Sequence, residues 1–438
     1  MPDGEGWPST TENPAVRRLS DWPAEPLRDL ADEYETPLYV QDLDRVKANA
    51  SRLRSAFPDA DLSYAVKANT TRPVLETLAD RGVGAECAAA GEVKRSLAAG
   101  FPASRVRYTA VNPPARDLDY VCGLDAADEM VLTVGAMDTL NRVAQRDFEG
   151  RLCVRVNPGV GAGHHAKVST GAEPKFGVPY DRTAAVVERA LDHGFEVVGL
   201  HAHAGSGISG DDLSAHRELV RRMGALTGEV DEALDFVAVG GGFGVPYHED
   251  EPPLDLDTVA EATREAYREG WLEAVAGDDS EDAPAPPQLA IEPGRYFVAD
   301  AAVLLTTVNT VKPTPETTVV GVDAGMTTLV RPAMYDAFHE MRSLEPDVPR
   351  RDTVACDVSG PVCETADVLA RDRPLPDPSR GDLLAVGNAG AYGYEMASNY
   401  NSRPRPAVVA LEHGEPRLAA RRERLPELTR LESEAEDS

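Results

Sequence analysis

Lys67 stands in the run Tyr64-Ala65-Val66-Lys67-Ala68-Asn69, at the end of the apolar stretch Leu62–Val66. A lysine at the mouth of a buried strand loses hydration, which favours the neutral amine. A neutral, positioned amine can form a Schiff base with an aldehyde cofactor. A single strand-end lysine can equally mark nothing but the end of a strand, so the weight falls on its company. Other short apolar runs end in residues of similar potential. One ends near Glu86, another runs into Asn112, and a third carries Arg155 and Asn157. A further run passes through His201 to His203 and on to Gly205-Ser206. Phe236–Val239 opens into Gly240-Gly241-Gly242-Phe243-Gly244, and Leu289–Ile291 closes with Glu292-Pro293-Gly294-Arg295. Glycines let backbone N–H groups turn toward a phosphate with no Cβ in the way. Arg295 after the next run favours that anion site over a tight turn without ligand. No GxGxxG opens a helix after the first strand, so this is not a dinucleotide fingerprint.

These residues need elements that bring strand ends together. Short apolar runs alternate with helical periodicity from Asp61 to Arg295. The strands read as Leu62–Val66, Val83–Cys87, Val106–Ala110, Met130–Val134, Leu152–Val156, Val197–His201, Phe236–Val239 and Leu289–Ile291. Helices such as Pro73–Arg81, Gly91–Ala99, Ala184–Leu191, Leu213–Leu226 and Val259–Ala276 lie between them. This predicts an α/β domain, a (β/α)8 TIM-like barrel, whose chemistry gathers at the C-terminal strand ends. An open doubly wound sheet is the alternative, normally with fewer strands in such a length. After Tyr296, segments such as Val303–Val311, Thr318–Val322, Thr353–Val358 and Ala407–Leu411 predict a second, all-β, barrel-like domain. The expected boundaries are an N-terminal arm over 1–35, the barrel over 36–295, the β domain over 296–428 and an acidic tail over 429–438. Trp22 and Leu27 are the arm's candidate anchors, and the C-terminal domain is one surface it can pack on. Pro37–Val40 reads as a short strand, followed by a helix that Asp42 or Asp44 can cap. The acidic, Pro/Ala-rich Asp278–Pro287 reads as a surface loop and the tail as disordered.

Composition narrows the function classes. The net charge of −30, from 74 acidic and 44 basic residues, opposes binding to nucleic acid or an anionic membrane. Acids stud the helices as well as the loops, which favours a solubility device for a salt-rich cytoplasm over ordinary acidity concentrated in tails and loops. No apolar run is long enough to span a bilayer, and the start lacks a signal peptide's pattern, so a cytoplasmic location is expected. The five cysteines form no CxxC pair and argue against a disulfide framework or a structural zinc site, with no metal expected. Each is by default a buried free thiol.

Taken together, the motifs resemble the fold-type III pyridoxal-phosphate decarboxylases, and among them the diaminopimelate decarboxylases. The resemblance runs from about Thr36 to about Arg417. It is carried by YAVKAN at Tyr64–Asn69, RVNPGV at Arg155–Val160, KFGV at Lys175–Val178, HAHAGSG at His201–Gly207, GGGFG at Gly240–Gly244 and EPGR at Glu292–Arg295. It continues through DAGM at Asp323–Met326, RPAMY at Arg331–Tyr335, GPVCE at Gly360–Glu364 and GAYGYEMASNYNSRPRP at Gly390–Pro406. The resemblance implies pyridoxal 5'-phosphate bonded through its aldehyde to Lys67, with His203 stacked on the ring. Ser206, Gly240, Gly241, Gly242, Pro293, Gly294 and Arg295 are then expected around the phosphate or next to it. Glu292 would pair with the pyridine nitrogen and keep it protonated, which makes the ring an electron sink. It also implies loss of CO2 from a substrate amino acid, with Cys363 returning a proton to the same carbon. The GPVCE loop would reach a neighbouring subunit, so a homodimer with shared sites is expected. Arg295, Arg331, Tyr335, Glu364 and Tyr392 would bind substrate, with Tyr392 also near the cofactor. Arg331 suits a distal carboxylate and Glu364 a distal ammonium, which favours meso-diaminopimelate as substrate, with L-lysine and CO2 as products. The family commonly has aspartate where Glu86 stands, which puts that residue's contact to Lys67 or the ring in doubt. A decarboxylase for another basic amino acid or polyamine precursor, a catalytically silent homologue and a racemase on the same barrel are the competing readings.

Overall fold

The computed structural model describes residues 14–160, 175–203, 205, 208, 212–230, 232–275 and 285–432. Within these, the chain divides into two compact units. Ser206, residues 276–284 of the acidic loop region and residues 433–438 of the tail lie outside the described residues.

The first unit, Lys47–Val245 with Pro253–Phe297, is the expected barrel. Its parallel strands are Asp61–Ala65, Gly84–Cys87, Val106–Tyr108, Val131–Val134, Arg151–Asn157, Glu196–His201, Phe236–Ala238 and Gln288–Ile291. Each pairs with the next in the chain, and Gln288–Ile291 returns to Asp61–Ala65, so the sheet closes and an open doubly wound sheet is excluded. The helices Arg72–Ala79, Ala90–Ala98, Ala115–Cys122, Met137–Val143, Thr183–Asp192, Ser214–Leu226 and Leu256–Ala274 fill the intervals between strands. The strands are short because both of their faces are covered and apolar runs of four or five residues suffice. Register then sets up the chemistry. Ala65 is paired with Glu86, Glu86 with Arg107, and Arg155 with His201. Side chains of paired residues in neighbouring strands share a face, so these charges meet at one end of the barrel.

The second unit contains Met1–Val46, Pro246–Pro252 and Val298–Ser438. Its sheet runs through Val368–Pro376, Thr353–Ser359, Thr318–Val322, Ala302–Pro313, Leu38–Asp42, Ala407–Glu412 and Glu415–Ala420, with Leu383–Val386 and Met341–Ser343 attached. The strand Leu38–Asp42 therefore departs from the expected boundary at residue 36. It is antiparallel to Ala302–Pro313 and parallel to Ala407–Glu412, with Leu38, Tyr39 and Val40 fully buried. A buried apolar strand satisfies its backbone in either sheet, so its local sequence does not decide which one takes it. The arm also belongs to this unit. Residues Ala24–Tyr34 form a helix, and Trp22 and Leu27 sit in one cluster with Leu38, Leu305 and Val409. Asp42 caps the next helix by accepting from the N–H groups of Asp44 and Arg45 at 2.9 and 3.2 Å.

No described helix is long and apolar enough to cross a membrane. Cys87, Cys153 and Cys356 are buried as expected, but Cys122 is half-buried and Cys363 is exposed. Cys363 lies on a surface loop after strand Thr353–Ser359, beyond the reach of the apolar cluster that covers Cys356.

Candidate active site

Five ionisable residues of the barrel strands and their ends are buried. Glu86, Arg107, Arg155, His201 and Glu292 are each no more than 9% exposed. Barrel interiors are ordinarily filled by branched aliphatics, and an unpaired buried charge costs several kcal/mol. These charges are therefore tolerated through their pairing. His201 Nε2 donates to Glu292 Oε2 at 2.8 Å. Arg107 Nη1 stands 3.5 Å from Glu292 Oε1, and its Nη2 bonds Asp61. Burial opposes the charge on Glu292, but His201, Arg107 and Lys67 outweigh it and hold the carboxyl below its usual range. Arg155 lies over the Phe176 ring, and burial lowers its guanidinium against the pull of Glu86 and Glu292.

Lys67 sits on the turn Val66–Ala68, just beyond the strand. Its side chain is 43% exposed, and its Nζ donates to Glu86 Oε2 at 2.9 Å. The desolvation expected of a strand-end lysine is thus corrected by the structure. The strand stops at Ala65, and the turn carries the amine outward onto a buried carboxylate. The residue that stands in place of the family's usual aspartate is thus in direct contact with Lys67.

His203 and the glycine run form one construction. Gly241 N–H donates to His203 Nδ1 at 3.3 Å. Gly240 and Gly242 have φ of +74° and +98°, where side chains are disfavoured. A Cβ on Gly240 would lie 2.5 Å from His203 Nδ1, and one on Gly241 2.3 Å from the Glu292 carbonyl oxygen. Close packing against His203 and Glu292 is therefore one reason for glycine here, besides any anion. Burial, then Lys67, Arg155 and His201, push the His203 imidazole down to about 3, so it is neutral at physiological pH. Pro293 accepts from Ala65 N–H at 3.1 Å, and Gly294 packs against Ala65 and Ala68. This ties the EPGR segment to the lysine turn, and partly buried Arg295 begins the short helix Arg295–Val298.

The second unit holds the other expected residues in two groups. Buried Arg331 opens the helix Arg331–Tyr335. Its Nε donates to His339 Nε2 at 3.3 Å, while His339 Nδ1 donates to the Gly387 carbonyl at 2.9 Å. Tyr247 lies beneath its guanidinium at 5.4 Å. Tyr335 and Tyr392 are half-buried, and Tyr392 holds φ at +57°, a conformation rare for an aromatic residue. Cys363 and Glu364 are exposed on their loop beside Tyr400 and Asn401.

Sequence reasoning assigned no role to Arg107, Tyr247, His339, Tyr400 or Asn401. An arginine inside the three-residue buried strand Val106–Tyr108 was a readable signal.

The barrel residues fit pyridoxal phosphate on three counts. Lys67 offers a reachable amine for the aldehyde. Glu292 Oε1 is a buried carboxylate oxygen without a hydrogen-bond partner among the described residues, suited to accept from a protonated ring nitrogen. His203 offers a neutral ring face.

Comparison with known proteins agrees. Residues 43–299 match the family model for the pyridoxal-dependent decarboxylase, pyridoxal binding domain. A diaminopimelate decarboxylase of Methanothermobacter thermautotrophicus is 41% identical over 412 residues, 92% of each chain. One from Aquifex aeolicus is 35% identical over 409 residues, 91% of each chain. The crystal structure of diaminopimelate decarboxylase from Helicobacter pylori complexed with L-lysine superposes with a TM-score of 0.82 at 32% identity, covering 93% of this chain and 99% of the other.

Proposed function

This chain belongs to the pyridoxal-dependent decarboxylases, and on that premise we propose that it converts meso-2,6-diaminopimelate to L-lysine and CO2, the last step of lysine biosynthesis. The carrying observation is the buried Glu292, charged through His201 and Arg107, with Oε1 left without a hydrogen-bond partner among the described residues. Pyridoxal phosphate, when bound, supplies an electron sink for the pair left behind as the carboxylate departs. Lys67 would hold it through its aldehyde, with Glu86 orienting the Lys67 amine. Glu292 keeps a proton on the ring nitrogen, and neutral His203 covers a ring face without adding charge. The glycine run, Ser206 and Arg295 are assigned to the phosphate region. Arg331, with His339 and Tyr247 fixing its guanidinium, takes the distal carboxylate of the substrate. Glu364 takes the distal ammonium, with Tyr335 and Tyr392 supplying hydroxyls. Cys363 returns a proton to the reacting carbon. Its exposure supports a role toward a neighbouring subunit, in a homodimer with shared sites in the cytoplasm. Purified protein supplied with cofactor should release lysine and CO2 from meso-diaminopimelate, and absence of both products would refute the reading.

Mixing the inactive variants Lys67→Ala and Cys363→Ala tests the sharing. In a mixed dimer one site keeps both residues and the other loses both. Random exchange makes half the dimers mixed, so activity should return to roughly a quarter of wild type. Mixed dimers that form without activity would show that Cys363 serves its own subunit.

The net charge of −30 supports a salt-rich setting. Screening should relieve self-repulsion, so the melting temperature should climb as potassium chloride rises into the molar range. Flat melting behaviour would contradict this.

A further inference from the structure

The turn Tyr400–Ser402 touches both functional side chains of the Gly360–Glu364 loop. Tyr400 Oη donates to Glu364 Oε1. The Cys363 thiol donates to Asn401 Oδ1 at 3.4 Å. Arg403 Nη2 adds a third tie, to the Pro361 carbonyl at 3.2 Å.

Residues flanking the turn are tied to one another. Asn399 Nδ2 donates to the Arg403 carbonyl at 2.9 Å and to Glu423 Oε2 at 2.5 Å. Glu423 Oε1 in turn accepts from Arg405 Nε at 2.9 Å and Nη2 at 2.7 Å. Under the loop, buried Asp367 accepts from the N–H groups of Val362 at 2.6 Å and Met326 at 2.5 Å. Cys363 and Glu364 nevertheless project into solvent. Exposed side chains without partners spread over several rotamers, and precise chemistry from such a position requires that freedom to be removed.

The contacts also suit each residue's task. An amide oxygen can only accept, so the Cys363 S–H is the donor in this contact and Asn401 Oδ1 fixes its direction. Asn401 has φ of +58°, a left-handed conformation that asparagine tolerates. The Tyr400 hydroxyl occupies one oxygen of Glu364 and leaves the other for a cation. The carboxylate raises that hydroxyl above its ordinary value, so it stays a donor.

We propose that Tyr400 and Asn401 are positioning residues, Tyr400 aiming Glu364 at the substrate's cationic end and Asn401 holding the Cys363 thiol aimed. This rests on the roles given to Cys363 and Glu364 above.

The test is steady-state kinetics on the cofactor-loaded enzyme with meso-diaminopimelate. Tyr400→Phe should raise KM about five- to tenfold with kcat within about twofold. Asn401→Gly preserves the left-handed backbone and deletes the amide. It should lower kcat about tenfold with KM little changed, and Asn401→Asp, which keeps an acceptor oxygen, should restore most of the loss. Asn401→Gly should also speed iodoacetamide alkylation of Cys363, a readout that needs no turnover. Wild-type constants in both variants would overturn the inference. So would equal damage to kcat and KM with a lowered melting temperature, since that marks a structural role. Cys363→Ala and Glu364→Ala run alongside separate the two failures: if they too are fully active, the roles assigned to Cys363 and Glu364 fall first.

Discussion

Glu292→Gln should reduce kcat by about a hundredfold or more while cofactor binding survives. Glutamine keeps the shape of the side chain and can still accept from His201 Nε2, which stands 2.8 Å from the native carboxylate. It cannot supply the negative charge that holds a proton on the ring nitrogen. Without that proton the ring is a poorer sink for the electron pair released as CO2 departs. The retained part of the site is checkable in the same sample. The variant should keep a visible absorbance band, and borohydride should fix the cofactor on Lys67. Turnover within a few-fold of wild type would remove Glu292 from the role assigned to it, and a label on another lysine would remove Lys67.

Arg331→Ala carries the second large effect, on substrate discrimination. Arg331 is buried and oriented by His339 and Tyr247, so it offers a distal carboxylate a guanidinium in a preset direction. Ornithine and lysine lack a distal carboxylate and leave it without that anion. Wild-type enzyme should therefore prefer diaminopimelate by roughly a thousandfold or more in kcat/KM. Arg331→Ala should erase most of this preference, losing diaminopimelate turnover while residual activity on simple diamino acids changes little. Equal loss on both substrate types would mean that Arg331 supports the fold or the cofactor, and that selectivity lies elsewhere.

Much of this site was legible because short strands placed its residues at their ends. The eight barrel strands were readable from apolar runs, and the polar residues that close them marked Lys67, His203, the glycine run and Glu292. Pairing was not readable. Arg107 meets Glu292, and Glu86 meets Lys67, through the register of the closed sheet, a long-range property that no local window contains. The same limit explains the strand Leu38–Asp42, whose apolar sequence fits either sheet and whose partners lie far along the chain. Lys67 was expected to be desolvated because the apolar run was read through Val66; the strand ends at Ala65, and that shift places the amine on a turn. Tyr400 and Asn401 lay inside a matched motif, yet their contacts depend on how a turn near the chain's end meets a loop some 40 residues earlier, at separations of 36 and 38 residues.

Substrate identity is tested most directly by comparing kcat/KM across candidate substrates. Wild-type protein loaded with pyridoxal phosphate should be given meso-diaminopimelate, ornithine and lysine in turn, with CO2 release and amine product followed for each. The kcat/KM for meso-diaminopimelate should exceed the others by roughly a thousandfold or more, with lysine as the product. A higher value for ornithine or lysine would contradict this expectation, whatever the variants show.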